Sequence, residues 1–333
     1  LLTKEVEMPA PVDAEIATLF ELLDAMSGGA RLSESTPEQA RSGMELMAAA
    51  APRPDPPAEV EDRTLPGPGG PVPVRLYRPR RSEAPLPLVV FFHGGGFVLG
   101  SIATHDALCH RLCTGLDALV LSVGYRLAPE HPYPAGLEDA WAATVWAGAH
   151  AEELGADPSQ LVLAGDSAGA NLAAVCARRA RDHGGPEIAL QVLAYPATDL
   201  TGSQPSIREN AEAPGLRLDD LEWFGRLYLA DPALATDPDA SPLFAPDVSG
   251  LAPAIIYTAG HDPLCDDGQR YAERLAEAGV RVRYRCFETL VHGFLSLDGV
   301  AKAATAAMED LLSDVRDALP RPPGRETQGG RAS

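Results

Sequence analysis

Apolar positions change their period along the chain. Ile16, Leu19, Phe20, Leu23 and Met26 recur at helical spacing and predict an amphipathic helix over 14–26. A second helix is predicted over 37–50, opened by Thr36-Pro37-Glu38, with proline in the first turn. Pro52-Arg53-Pro54-Asp55-Pro56-Pro57 then reads as a stiff extended linker. Val72-Pro73-Val74-Arg75-Leu76 alternates like an exposed or edge strand, because Pro73 lacks an N–H for a central ladder.

Beyond it, short continuous apolar runs recur at Leu86–Phe92, Ala118–Val123, Leu161–Ala164, Ala189–Ala194 and Ala254–Ala259, and a final strand is predicted over Val280–Phe287. Uninterrupted apolar runs suit strands buried on both faces, hence a mainly parallel sheet covered by helices. Those helices are expected at Asp106–Leu116, Leu137–Leu154, Ala168–Asp182, Asp266–Ala278 and Val300–Leu319. The fold class is therefore doubly wound α/β, as one domain over 1–320. Residues 201–250 interrupt the rhythm with one predicted helix at Asp219–Leu229, the pattern of a functional insertion or lid, and the Pro-rich break after residue 50 offers the N-terminal helices a similar role. Residues 321–333 lack apolar periodicity and are expected to be disordered.

Composition narrows the function. With 45% apolar residues the chain is ordinarily globular, and a formal net charge of −20 argues against nucleic acid or anionic lipid as partners. Five cysteines form no C-x-x-C pair, which suits free thiols in a reducing, cytoplasmic compartment. The longest apolar run, Ala140 to Ala149, is too short to cross a bilayer, so integral membrane association is not expected. No charged segment followed by an apolar run opens the chain, so no leader is expected within it.

Gly165-Asp166-Ser167-Ala168-Gly169 matches G-x-S-x-G. The motif alone is a weak signal, but a buried strand precedes it and a helix follows, the setting of a nucleophile elbow. Its glycines fit a cramped turn, and the following helix aims its N-terminal amides beside Ser167. After the strand Leu86–Phe92 comes His93-Gly94-Gly95-Gly96-Phe97, whose bare amides lie at the sheet's carboxyl edge, where open α/β sheets bind ligands. A phosphate loop competes, but neither G-K-[ST] nor G-x-G-x-x-G is present. The amides of Gly94, Gly95 and Ala168 are the expected oxyanion hole.

A serine hydroxyl needs a base, and the base an orienting acid, in the chain order Ser, Asp/Glu, His. Of the three later histidines, His183 sits in a turn ahead of any suitable acid and His261 precedes Asp262; His292 follows a strand at the carboxyl edge and is the expected base. Asp262, directly after the strand Ala254–Ala259, is the expected acid. Asp266 and Asp267 read as helix-start carboxylates, and Asp199 as structural.

These motifs, together with Tyr125-Arg126-Leu127-Ala128-Pro129-Glu130-His131-Pro132-Tyr133-Pro134-Ala135, Asp262-Pro263-Leu264 and His292-Gly293-Phe294, resemble the bacterial hormone-sensitive-lipase-like branch (family IV) of the α/β-hydrolases across most of 65–315. The resemblance implies an α/β-hydrolase fold and a cap built from residues 1–50 and part of 201–250. It also implies a serine carboxylesterase acting on short- to medium-chain acyl esters without metal or organic cofactor. Thr289 and Ala170 stand where many relatives carry Gly. An amidase or arylformamidase, or a non-catalytic small-molecule-binding relative, is the alternative; the expected partner is a small-molecule ester, and a homodimer is compatible with the class.

Overall fold

The computed structural model describes residues 10–49, 52, 53, 55, 57–80 and 85–319; the predicted tail lies outside them. Eight strands form one sheet: β1 (Glu59–Leu65), β2 (Val72–Arg78), β3 (Leu86–Phe92), β4 (Leu119–Val123), β5 (Ala156–Asp166), β6 (Leu190–Ala194), β7 (Ala254–His261) and β8 (Val282–Val291), in the spatial order β1-β2-β4-β3-β5-β6-β7-β8. The first two pairings are antiparallel and the rest parallel.

Strand alternation explains why the central runs are apolar throughout. Leu88, Val90 and Phe92 of β3 enter one core, while Val89 and Phe91 enter the other, on the opposite face. The first core is covered by α4 (Ala135–His150), α5 (Ala168–Asp182) and α8 (Cys265–Glu277), the second by α3 (Asp106–Leu116) and α9 (Lys302–Ala318). Helix ends follow local chemistry. In α1 (Ala14–Ser27) the Asp13 carboxylate accepts the N–H groups of Glu15 and Ile16, and Gly28 ends the helix at φ +65°.

One expectation at the antiparallel end needs correction, and one strand there went unanticipated. Strand β2 is not at the edge; β1 is, and its Glu-Val-Glu-Asp-Arg-Thr-Leu sequence carries little strand signal. Charge suits an edge that must refuse further pairing. The strand is held by its seven-residue register with β2 and by ion pairs such as Asp62–Arg75 at 2.6 Å. Pro73 is tolerated because the β2–β4 register begins at Val74↔Val123, so its missing N–H falls past the last rung; its carbonyl still accepts the Gly124 N–H at 2.9 Å.

The N-terminal helices and the 201–250 insertion meet over the carboxyl end of the sheet. The Asp13 N–H donates to the Thr289 carbonyl at 2.9 Å, and the Ala10 carbonyl lies 2.7 Å from His261 Nε2. From α2 (Pro37–Ala49), Arg41 donates to the carbonyls of Val98 and Ala128, both at 2.8 Å. The insertion contributes the short α6 (Ser206–Glu209) and α7 (Leu218–Tyr228). Asp219 of α7 binds Arg31 at 2.7 Å, and Tyr228 stacks on Phe97 with centroids 3.9 Å apart.

The Arg126 guanidinium grips the buried Asp139 carboxylate by two hydrogen bonds, at 2.7 and 2.8 Å, and a third comes from the Arg126 N–H. Arg126→Ala leaves that carboxylate buried with most of its partners gone. A loss of about 3 kcal/mol is expected, at the low end for a buried pair because the guanidinium is partly exposed. The urea midpoint of unfolding checks it; an unchanged midpoint would show that the pair adds no stability.

Candidate active site

Ser167 stands between β5 and α5 with φ +53° and ψ −120°, a left-handed conformation that costs a non-glycine residue strain. The surrounding packing imposes it. A methyl group on Gly169 would lie 1.9 Å from the Phe92 carbonyl oxygen, and one on Gly165 would lie 2.4 Å from the Gly169 backbone. The helix thus abuts β3 so closely that only glycine fits, and the Ser167 N–H is held on the Ala194 carbonyl at 2.9 Å.

The structure brings the three expected side chains together. His292 Nε2 is 2.9 Å from Ser167 Oγ, and its Nδ1 is 2.8 Å from Asp262 Oδ2. Asp262 is fully buried and its other oxygen accepts the Leu264 N–H at 2.8 Å. Tyr195, which sequence reasoning did not select, meets the imidazole edge-to-face with centroids 4.8 Å apart, and its own backbone is at φ +37°. Residues separated by 125 and 30 positions thereby form a single hydrogen-bonded line.

The other histidines and acids lie elsewhere. His183 packs edge-on to Trp141. Asp199 accepts from Thr201, Ser203 and Gln204 in its own turn. Asp266 accepts the Ser206 N–H, and Asp267 the N–H groups of Thr198 and Asp199. Burial, aided by the charge of Asp199, raises the Asp267 carboxyl well above its ordinary range.

The expectation for the oxyanion hole is corrected at one residue. The Gly94 N–H donates to Asp166 Oδ1 at 2.8 Å, so it is not free for a ligand. The N–H groups of Gly95, Gly96 and Ala168 have no hydrogen-bond partner among the described residues. Gly96, at φ +60°, was not singled out in the sequence, because which amides stay free depends on the Asp166 carboxylate. Burial alone would raise that carboxyl. The nearby His105, with Nε2 3.3 Å away, overcomes burial and holds it below the ordinary range. His93 is pushed down to about 3 by burial, with His105 adding to it, so its imidazole is neutral. Its ring stacks on Tyr125 at 4.3 Å, and the Tyr125 hydroxyl donates to the His93 carbonyl at 2.7 Å.

Above these groups lie aromatic side chains from both N-terminal and insertion segments. A methyl group on Gly96 would fall 2.3 Å from the Phe224 ring, and one on Gly215 would fall 3.2 Å from both the His292 carbonyl and the Phe20 ring. A groove of about 770 Å³ is lined by His93, Ser101, Tyr125, Leu127 and Arg75 but by none of Ser167, Asp262 and His292. Among the described residues no three His, Cys, Asp or Glu side chains converge to hold a metal ion.

A family model described as alpha/beta hydrolase fold matches residues 89–296. Esterase LipI of Mycobacterium tuberculosis is 49% identical over 267 residues, covering 79% of this chain and 83% of that protein. Carboxylesterase NlhH of the same species is 42% identical over 93% of this chain and 96% of its own. Among solved structures, a hyperthermophilic esterase from the archaeon Pyrobaculum calidifontis superposes with a TM-score of 0.86 at 40% identity, over 92% of this chain and 99% of that one.

Asp166→Ala releases the Gly94 amide and leaves the glycine loop free to drift. Ester turnover is expected to show a kcat about 10- to 100-fold lower with little change in KM. Steady-state kinetics test this, and an unchanged kcat would remove Asp166 from the support of the loop.

Proposed function

The chain belongs to the α/β-hydrolase fold family, in its hormone-sensitive-lipase-like branch, and is a carboxylic ester hydrolase; we propose that it works through Ser167, His292 and Asp262. The observation that carries this mechanism is the imidazole of His292, poised between Ser167 Oγ at 2.9 Å and Asp262 Oδ2 at 2.8 Å.

Ser167 Oγ attacks the ester carbonyl while His292 Nε2 takes its proton. Asp262 accepts the Nδ1–H, which fixes the tautomer with Nε2 as acceptor and stabilises the imidazolium that forms. The Leu264 N–H keeps the carboxylate oriented. The carbonyl oxygen becomes negative in the tetrahedral intermediate and is received by the N–H groups of Gly95, Gly96 and Ala168. Ala168 also lies at the N-terminus of α5, where the helix dipole favours that charge. Removing one such donor costs about 3 kcal/mol of transition-state stabilisation in related chemistry. His292 then protonates the departing alcohol, and water, deprotonated by the same imidazole, hydrolyses the acyl-enzyme.

Residues 1–50, of which 10–49 are described, and part of 201–250 act as a cap over this machinery, and short- to medium-chain acyl esters are its substrates. Phe20 and Phe224 support this range, since the Phe224 ring packs against Gly96 and the Phe20 ring against Gly215 beside the His292 carbonyl, where they can bound an acyl chain. A cytoplasmic location is supported by the five free thiols. No helix among the described residues is long and apolar enough to cross a membrane.

Ser167→Ala should lower kcat by a factor on the order of 10⁴–10⁶ and abolish labelling by an organophosphonate. Near-normal turnover would end the proposal, and absent labelling of the unaltered chain would favour a binding protein. Assays on an ester and an amide of one acyl group separate the esterase from the amidase reading. His292→Ala should likewise lower kcat by a factor on the order of 10⁴–10⁶, and near-normal turnover would remove His292 as base. Phe20→Ala and Phe224→Ala should raise kcat/KM for an octanoyl over a butyryl ester by about tenfold. Unchanged selectivity would place the acyl-depth limit elsewhere.

A further inference from the structure

The five thiols divide into two kinds. Cys109, Cys113 and Cys176 are buried in the cores, and burial pushes Cys113 and Cys176 up to about 12. Cys265 and Cys286 are only half-buried, and their Sγ atoms stand 3.9 Å apart. Cys265 is the first residue of α8, three positions after Asp262. Cys286 lies on β8, opposite Thr258 of β7 and six positions before His292. The thiol contact therefore bridges the two segments that carry the acid and the base.

We propose that Cys265 and Cys286 are a redox-modification site, at which a hydroperoxide converts the two thiols into a reversible disulfide that staples the first turn of α8 to β8. A separation of 3.9 Å puts the two sulfurs in van der Waals contact, and an S–S bond closes that gap to roughly 2.05 Å. The two thiols are unequal. A hydrogen bond from Cys265, helped by the Thr258 hydroxyl and opposed by burial, lowers the Cys286 thiol below its ordinary range. Cys286, whose sulfur faces the Cys265 thiol across this contact, is assigned as the attacking thiolate of the pair.

Its thiolate attacks one peroxide oxygen, the O–O bond breaks, and the departing oxygen leaves as water (from hydrogen peroxide) after taking up a proton. The Cys265 sulfur then attacks the resulting sulfenic acid, forming the S–S bond and expelling a second water. The two thiols lose two electrons and two protons; the peroxide gains both. The ring so closed spans residues 265–286. It restrains the unfolded chain. A dithiol reductant reverses it, which suits a compartment where disulfides form transiently. The proposal is independent of the esterase mechanism, since its readouts are thiol chemistry and unfolding.

The test treats the full chain with hydrogen peroxide and maps its peptides by mass. The expected product is a cross-link joining the peptides of Cys265 and Cys286, lighter by two hydrogens than the reduced pair and lost on adding dithiothreitol. The melting temperature should rise by roughly 3–8 °C with the cross-link. In Cys265→Ser the rise should vanish, and Cys286 should proceed to sulfinic acid. Cys286→Ser should leave Cys265 reduced under the same treatment. Five free thiols after treatment of the unaltered chain, or sulfinic acid at Cys286 without a cross-link, would overturn the proposal. A cross-link that leaves the melting temperature unchanged or lowers it would overturn the staple.

Discussion

The close approach of α5 to β3 is the constraint from which the site follows. Gly169 lies against the Phe92 carbonyl and Gly165 against the backbone of Gly169, so the chain must turn within the five residues of the motif. Ser167 absorbs that turn at φ +53°, a conformation costing on the order of 1–3 kcal/mol, which burial on both sides of the sheet offsets. The strain has two outcomes. It lifts Ser167 Oγ out of the strand toward His292, and it leaves the Ala168 N–H outside the helical ladder.

Behind the serine, the residue before it does a second task. Asp166 holds the Gly94 N–H and is itself held by His105, while His93 is pinned by Tyr125. The glycine loop and the serine turn are thus tied through one buried carboxylate. Movement of either would break a buried, charge-assisted hydrogen bond. This gives a physical account of why bare glycines, flexible by nature, stand at a fixed distance from Ser167. Only Gly94 is tethered by its amide; Gly95 and Gly96 are carried by it and by the Val98 and Leu99 N–H groups on the Gly95 carbonyl.

The layer over the site shares the core of the sheet through Trp223, Phe224 and Tyr228 of α7 and Ala40 of α2, and polar contacts tie it down at its edges. Arg31, Arg41 and the backbone of Asp13 link the N-terminal segment to α7, to the 98–130 region and to Thr289. Thr289 is a position where the family often carries glycine, and here its carbonyl receives the N-terminal strap.

What could be read from residues alone follows from periodicity and local chemistry. The parallel strands were legible because their two faces enter two cores, and β1 was not, because Glu59, Glu61, Asp62 and Arg63 become a strand only when β2 offers its ladder. Ser167, Asp262 and His292 were legible as candidates because each follows a strand at the same edge. Three matters had no sequence signal: which glycine amides stay free, the placement of Tyr195 against the imidazole, and the meeting of Cys265 with Cys286 across 21 positions. Order along the chain determined which chemical groups reach the carboxyl edge. Only tertiary packing decided which hydrogen bonds those groups had already spent, because a donor's availability depends on neighbours that are distant in sequence.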